Sequence, residues 1–200
     1  MDPPACASHN LETGLIHLAH EAGVEVYPSI GGWTLSDNFP TLASTAEGRS
    51  AFANNCVRLI REYEFDGIDI DWEYPGYADH SGTEADTVNY SLFLKEIRDK
   101  LDELGDETGR FYGLTAALPC GPDLIAKIEV DKVKDYLTEL NLMTYDFHGS
   151  WNAKTGVNAP LYDQEDSPDF SVHGCVNNWI KGGGTNDQMC VLANIEIVDC

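Results

Sequence analysis

The chain has 200 residues, of which 34 are Asp or Glu and 12 are Lys or Arg, and its formal net charge is −22. This charge excludes nucleic acid and anionic membrane surfaces as expected partners, because both are recognised by clustered Lys and Arg. With 42% hydrophobic residues the chain has enough apolar material for a packed core, which excludes wholesale disorder. We expect one domain, or most of one.

Apolar periodicity predicts helices and strands that alternate along the chain. Helices are predicted at 11–22, 44–63 (from the capping-box pattern Ser44-x-x-Glu47), 86–104, 123–137 and 171–181. Strands are predicted at 24–30, 65–73, 111–119, 140–147 and 189–198. This alternation is typical of a parallel α/β architecture, either a doubly wound sheet or a (β/α)8 barrel. In both folds a site forms at the carboxyl ends of the strands.

The predicted strand at 65–73 has an unusual pattern of side chains. Apolar and acidic residues alternate over the run Ile68-Asp69-Ile70-Asp71-Trp72-Glu73. Successive side chains of a strand point to opposite faces, so the acidic groups form one row with neighbours about 6–7 Å apart. At this spacing carboxylates repel one another, and one of them is expected to hold a proton near neutral pH. The row therefore predicts acid–base chemistry, with Trp72 on the opposite face, in the core.

A calcium site and a purely structural role both fit the acidic row less well. A calcium loop of the EF-hand type needs Gly after its third acidic position and small or polar residues between the acidic positions, whereas Ile70 and Trp72 stand between these. A purely structural row would bury unpaired carboxylates at a high cost. The histidines show no metal-ligand spacing, and His80, His148 and His173 are expected in loops or at the surface. No glycine-rich phosphate loop follows any strand, so we expect neither a metal nor a cofactor.

The cysteines leave the question of disulfides open. Six are present, at positions 6, 56, 120, 175, 190 and 200. No C-x-x-C pair occurs, and the wide spacing matches no zinc site. The even number permits disulfides, but it fixes no pairing.

The acidic segment also carries a family resemblance. Phe65–Glu73 resembles the active-site signature of family 18 glycoside hydrolases, the chitinases, and matches the pattern DGxDxDxE at every fixed position. Other segments resemble strands of that family in the same order: Ser29–Trp33, Thr115–Pro119, and Met143–Asp146 with Gly149–Trp151. Together these matches cover roughly residues 11–190. The resemblance implies an α/β fold, the (β/α)8 TIM barrel.

The resemblance also implies that the barrel is incomplete in this chain. The matches start near the helix that precedes the third strand of the family, so the first two strands are expected to be absent. The pattern stops agreeing after Val191-Leu192, so the C-terminal part is expected to be absent as well. Residues 1–200 would then be a partial catalytic domain. The family implies a monomer outside the cell, although the N-terminus as written carries no signal peptide.

The implied activity is hydrolysis of β-1,4-linked N-acetylglucosamine polymers with retention of configuration. In this family the N-acetyl oxygen of the substrate acts as the nucleophile. The resemblance makes Glu73 the general acid and Asp71 the residue that orients the acetamido N–H and stabilises the oxazolinium ion. Asp69 would share a proton with Asp71, and Tyr145 would donate its hydroxyl to the acetamido carbonyl. Asp66, of opposite parity to the row, is expected to play a supporting part.

The implied partner is chitin or a chitooligosaccharide. Asp146 would contact the sugar, and Trp33 and Trp151 are candidate stacking platforms, because indole presents a wide apolar face and a polar edge. Met143 and Ala117 share parity with Tyr145 and Pro119 and would line the floor of the sugar site, although packing into the core is an equally good interpretation of their positions.

Three alternative functions stay open. A non-catalytic chitin- or oligosaccharide-binding relative is one, although such relatives typically lack the acid that is present here as Glu73. An inactive truncated fragment is the second. The third is an endoglycosidase of the same family that cleaves the chitobiose core of N-glycans. The pair Trp33 and Trp151 favours a linear chitin cleft over that activity.

Overall fold

A computed structural model describes residues 14–165 and 168–192. The strands in this part of the chain are β1 (Ser29–Gly31), β2 (Gly67–Asp71), β3 (Gly113–Leu118), β4 (Glu139–Met143) and β5 (Met189–Leu192). All neighbours are parallel, and their order in the sheet is the order in the chain. Within the described residues the sheet is open, with β1 and β5 at its two edges.

Helices connect the strands, as parallel pairing requires. They are α1 (Leu15–Glu21), α2 (Phe39–Ala43), α3 (Ala46–Tyr63), α4 (Asp86–Thr108), α5 (Pro122–Ile125), α6 (Val130–Tyr136) and α7 (Val172–Lys181). A 3₁₀ turn, Ala78–His80, lies between β2 and α4. The predicted alternation of strands and helices is thus confirmed. The beginning of the first predicted helix, at 11–13, and the end of the last predicted strand, at 193–198, lie outside the described residues.

The strands are shorter than the apolar pattern predicted. The segment expected as a strand at 24–30 pairs regularly only from Ser29 onwards. Before that point the carbonyls of Val26 and Pro28 each accept a hydrogen bond, from the amides of Asp66 and Asp69. Pro28 has no N–H with which to continue the ladder, so the regular strand begins after it.

Several helix boundaries differ from the predicted ones. The cap of α3 is Thr45, whose side chain accepts a hydrogen bond from the Gly48 amide, whereas Ser44 donates to the carbonyl of Thr41 in the unpredicted helix α2. The segment 123–137 forms the two helices α5 and α6, since Glu129 between them is not helical. Helix α4 continues past its predicted end at 104 and stops at Gly109, in the left-handed conformation with φ +71°.

One face of the sheet is apolar and forms the core. Ile68, Ile70 and Trp72 are at most 1% exposed. Residues of the same kind on β3 and β4 are equally buried: Leu114, Ala116, Leu118, Leu140 and Leu142. The Trp72 ring stacks on Phe39 with 5.3 Å between the ring centroids. The prediction that Trp72 lies in the core, opposite the acidic side chains, is therefore confirmed.

Asp66 fastens the amino-terminal end of β2 to its surroundings. Its carboxylate is mostly buried and accepts hydrogen bonds from the His20 ring, the Val26 amide and the Arg110 guanidinium, each at 2.8 Å. These partners come from α1, from the segment before β1 and from the residues before β3. A carboxylate with so many donors is well satisfied in a buried position, and Asp66 accordingly supports the strand from the end opposite to Glu73.

A disulfide between Cys120 and Cys175 joins the end of β3 to α7. Both cysteines are buried, and 55 residues separate them in the chain. Closing a loop of that length restricts the unfolded chain, which stabilises the fold by about 4 kcal/mol in the chain-entropy model. Cys56 and Cys190 are free thiols, the first buried and the second exposed.

Replacing both bridged cysteines, Cys120→Ala with Cys175→Ala, is expected to lower the free energy of unfolding by about 4 kcal/mol. For a chain of this size the melting temperature should fall by about 10 °C, measured by circular dichroism. Cys190→Ser is the matched control, because it removes an exposed free thiol and should leave the melting temperature unchanged. Equal melting temperatures for the double variant and the control would contradict the prediction.

Candidate active site

Polar side chains occupy the face of the sheet opposite the core. Strand register places Ser29 beside Asp69, and Asp69 beside Thr115. The Asp69 carboxylate accepts hydrogen bonds from Ser29 Oγ at 2.6 Å, from Thr115 Oγ1 at 2.6 Å and from Asn141 Nδ2 at 3.2 Å. Neutral donors on β1, β3 and β4 thus satisfy the Asp69 carboxylate, which ties four strands together.

The end of β1 passes very close to the end of β2. Gly31 pairs with Asp71, and a Cβ atom added to Gly31 would lie 2.1 Å from the Asp71 carbonyl oxygen. Gly31 also has φ +123°, a conformation open only to glycine at low cost. The next residue, Gly32, donates its amide to the same carbonyl at 2.8 Å. Both glycines are therefore required for β1 to bring the Trp33 loop against the acidic strand.

The Asp71 carboxyl group differs from that of Asp69. Its Oδ1 atom is buried and has no hydrogen-bond partner among the described residues. Desolvation by burial raises the pKa of Asp71 from 3.8 to about 7, and the carboxylates of Glu73 and Asp69 add to the rise. Asp71 therefore exchanges a proton near neutral pH, whereas Asp69 beside it is held by donors.

Glu73 lies two residues beyond the end of β2 and is half-buried. Its amide donates to Ser36 Oγ at 2.9 Å, and its carbonyl oxygen lies 2.8 Å from His80 Nδ1. Burial raises the pKa of the Glu73 carboxyl, while a hydrogen bond from the Tyr74 hydroxyl and the nearby His80 imidazole oppose that rise. The structure thus brings a second carboxyl group of raised pKa next to Asp71.

Tyr145 and Asp146 follow the end of β4 at Met143, although the strand was predicted to continue to residue 147. Burial raises the pKa of the half-buried Tyr145 hydroxyl, and the carboxylates of Asp71 and Glu73 raise it further. This hydroxyl therefore stays protonated and is a hydrogen-bond donor in the field of the acidic row. Asp146 is exposed and left-handed, with φ 56°, and its Oδ1 accepts a hydrogen bond from Asn158 Nδ2 at 2.9 Å.

Ala117 and Met143 lie near the same ends of β3 and β4. They are 7% and 8% exposed. Alternation along the strands puts them on the face that carries Thr115 and Asn141. Such low exposure fits packing into the core as well as a position on the floor of a polar site.

The two candidate tryptophans are both exposed. Trp33 is 51% exposed, and its ring lies among His80, Tyr77 and Tyr74, with centroid separations of 4.4, 5.9 and 6.4 Å. Trp151 is 67% exposed, and its ring lies over Gly149, where an added Cβ would come within 2.2 Å of the indole. Trp33 is thus part of an aromatic cluster beside Glu73.

Some residues of the site were not predicted. Ser36 is fully buried, and its hydroxyl donates to the Gly32 carbonyl at 2.9 Å while it accepts from the Glu73 amide. His80 lies in a loop, as expected, but the contact of its half-buried ring with the Glu73 main chain was not predicted. Asn141 could have been found from its parity with Met143. Ser36 and His80 carry no such signal, because their partners are main-chain atoms, which leave no pattern of side chains in the sequence.

Residues 14–165 and 168–192 contain neither a metal cluster nor a membrane-spanning helix. No group of three or more His, Cys, Asp or Glu side chains in this part of the chain has a geometry suited to a metal ion. No helix there combines the length and the apolar character that crossing a membrane requires.

The chain matches known proteins over most of its length. The sequence profile of "Glycosyl hydrolases family 18" matches residues 12–195. Endochitinase 1 of Metarhizium robertsii is 42% identical over 160 residues, which are 78% of this chain and 36% of the fungal protein. Chitinase A1 of Niallia circulans is 44% identical over 139 residues, which are 68% of this chain and 20% of the bacterial protein. The chain thus spans about a third or less of the length of these relatives.

A solved structure agrees with the sequence matches. The family 18 N-acetylglucosaminidase of Paenibacillus barengoltzii superposes with a TM-score of 0.84 at 35% identity, covering 88% of this chain and 53% of that one. The prediction of an incomplete TIM barrel is confirmed in the described residues. The chain belongs to glycosyl hydrolases family 18, and its open parallel sheet is a part of that family's (β/α)8 barrel.

Proposed function

We propose that this chain carries the catalytic machinery of a chitinase, which hydrolyses β-1,4 linkages between N-acetylglucosamine units. One observation supports this proposal most strongly. Asp69 accepts three hydrogen bonds from neutral donors, whereas its neighbour Asp71 has an unpartnered oxygen and a pKa of about 7. Neighbouring carboxyl groups whose environments differ in this way are typical of acid–base sites.

Glu73 is the proposed general acid. Its raised pKa favours the protonated form, which can give its proton to the glycosidic oxygen as the bond from C1 to that oxygen breaks. The acetamido oxygen of the same sugar forms the new bond to C1, and an oxazolinium ion results. The Glu73 carboxylate then takes a proton from the water that attacks C1. Two displacements at C1 leave the anomeric configuration unchanged.

Asp71 and Asp69 are proposed to hold and redistribute one proton. Asp71 would accept a hydrogen bond from the acetamido N–H of the sugar. As the oxazolinium charge develops, an ionised Asp71 stabilises it. Asp69 would take up the shared proton at that stage, while the donors from Ser29 and Thr115 keep its carboxylate in place.

Tyr145, Asp146, Trp33 and Trp151 are proposed to hold the sugar. The protonated Tyr145 hydroxyl would donate to the acetamido oxygen and orient it toward C1. Asp146 is exposed next to it and would accept from sugar hydroxyls. The exposed indoles of Trp33 and Trp151 offer faces for sugar rings, and Ala117 and Met143 would close the floor.

The proposed substrate is chitin or a chitooligosaccharide, and the proposed location is outside the cell. The curated relatives are named chitinases, which supports the substrate. The Cys120–Cys175 disulfide supports an oxidising compartment. The acid at Glu73 argues against the alternative of a non-catalytic binding relative.

Glu73→Gln is the direct test of the proposed function. It keeps the size and hydrogen bonding of the side chain but removes the acidic proton, so kcat on chitooligosaccharides should fall at least about a hundredfold. Binding of the oligosaccharide, measured by calorimetry, should be retained. Proton NMR of the unsubstituted chain should show products with the β-anomeric configuration of the substrate.

Glu62→Gln is the matched control, because Glu62 is an exposed residue in the last turn of α3, which precedes the end of β2 opposite to Glu73. It should leave kcat unchanged. Binding without turnover by the unsubstituted chain would favour the non-catalytic alternative, and full activity of Glu73→Gln would refute the assignment of the acid.

The raised pKa of Asp71 predicts a particular pH dependence of stability. Between the ordinary value of 3.8 and about 7, the folded chain binds the Asp71 proton more tightly than the unfolded chain does. The free energy of unfolding should therefore fall as pH rises through this window. Because the carboxyl is partly solvated, we expect a contribution of about 2 kcal/mol rather than the full value of the shift.

Asp71→Asn should flatten this decline and stabilise the fold above about pH 7. Urea unfolding at a series of pH values measures the effect. Asp187→Asn, at an exposed loop position, is the control and should keep the wild-type slope. Parallel curves for Asp71→Asn and the unsubstituted chain would show that Asp71 titrates normally.

Tyr145→Phe removes only the proposed donor to the acetamido oxygen. It should lower kcat about tenfold or more, as expected for one oriented donor in a catalytic site, with little change in the melting temperature. Tyr162→Phe, at a tyrosine that is 64% exposed, should behave as wild type in the same assay. Unaltered kcat in Tyr145→Phe would remove Tyr145 from the proposed machinery.

A further inference from the structure

Both main-chain polar groups of Glu73 contact side chains, one from another loop and one from the same loop. Ser36, in the loop after β1, accepts from the Glu73 amide at 2.9 Å. His80, in the loop after β2, lies with Nδ1 2.8 Å from the Glu73 carbonyl oxygen. A carbonyl oxygen can only accept, so Nδ1 carries the proton and donates. The main chain of the proposed acid is therefore fixed on both sides, although it lies beyond the regular strand.

His80 also contacts the aromatic cluster that faces solvent. Its ring centroid lies 4.4 Å from that of Trp33 and 5.5 Å from that of Tyr77. Trp33 itself is half exposed. One imidazole thus contacts the main chain of Glu73 through Nδ1 and the indole of Trp33 through its ring.

The loop that carries His80, residues 74–85, is anchored at several points. The Asp86 carboxylate is 1% exposed and accepts from the amides of Gly76 and Thr83. Lys127 Nζ donates to the Gly76 carbonyl at 2.9 Å. His80 ends the 3₁₀ turn in this loop, and its own amide donates to the Tyr77 carbonyl. The contacts of His80 are consequently set by a loop that buried and charged groups hold in place.

On the basis of the proposed function, we propose that His80 is a positioning residue that couples the Trp33 ring to the Glu73 main chain. Its Nδ1–H donor fixes the carbonyl of the acid, and its ring supports the indole on which a sugar would stack. His80 then helps to set the distance between a stacked sugar and the acid. Fixed geometry of this kind contributes to rate because a general acid must lie within hydrogen-bond reach of the oxygen it protonates.

Two substitutions separate the two contacts of His80. His80→Phe keeps a ring against Trp33 and loses the donor to Glu73, so kcat should fall about tenfold with KM within about twofold of wild type. His80→Asn keeps a short amide donor and loses the ring, so it should recover most of kcat while KM rises about fivefold. His17→Asn, at a histidine of α1 that pairs with Glu21, should change neither constant.

Melting temperatures of both variants should stay close to that of the unsubstituted chain, because His80 lies in a surface loop. Wild-type kcat and KM in both variants would overturn the proposal. So would equal losses in the two variants that follow their melting temperatures, since these would indicate a purely structural role.

A second measurement needs no turnover. In the neutral imidazole, donation from Nδ1 leaves Nε2 without a proton, and long-range ¹H–¹⁵N correlation spectra distinguish the two tautomers. His80→Phe identifies the His80 resonances by their loss. The Nδ1–H tautomer is expected, and an Nε2–H tautomer would refute the hydrogen bond to Glu73. If the unsubstituted chain hydrolyses no chitooligosaccharide but shows the Nδ1–H tautomer, the proposed function fails while the placement of His80 stands.

Discussion

Electrostatic repulsion within the acidic row is the constraint on which the site depends. Strand geometry brings the carboxyl groups of Asp69, Asp71 and Glu73 close together on a partly buried surface, where all of them cannot be ionised at low cost. This repulsion is reduced because the carboxyl groups lie in different environments. Neutral donors from three strands satisfy Asp69, whereas burial without a partner among the described residues favours the protonated form of Asp71.

Burial of the apolar side chains on the opposite face of β2 offsets the energetic cost of the acidic row. Ile68, Ile70 and Trp72 pack into the core with at most 1% of their surface exposed, and burial of each such side chain contributes about 1.5–3 kcal/mol. The strand that carries the acidic row is thus also firmly packed against the helices. Asp66 adds a carboxylate with three donors at the amino-terminal end, so the strand is held at the end remote from the chemistry.

Much of this arrangement could be predicted from the sequence. The alternation at 65–73 was sufficient to place Trp72 in the core and to put Asp69 and Asp71 on one face. The glycine pair after Ser29 and the aromatic and acidic residues after β4 identified further edges of the site. The start of β1 could have been predicted from Pro28, which has no N–H, but the end of β2 could not, because the Glu73 amide donates to Ser36 and not to a neighbouring strand. His80 was missed for a similar reason, since its contact with the Glu73 carbonyl depends on how Asp86 and Lys127 hold the loop that carries His80.

The Cys120–Cys175 disulfide has a consequence for the covalent integrity of the site. The bond closes a ring of chain that contains β4, Tyr145, Asp146 and the mostly exposed segment 150–165. Exposed segments of this kind are preferred sites of proteolysis. A single cut in the segment would leave both halves joined through sulfur, so α7 and β5 would stay covalently connected to the strands that hold Tyr145 and the acidic row. In surroundings rich in proteases the site would therefore tolerate a nick that would otherwise divide the chain in two.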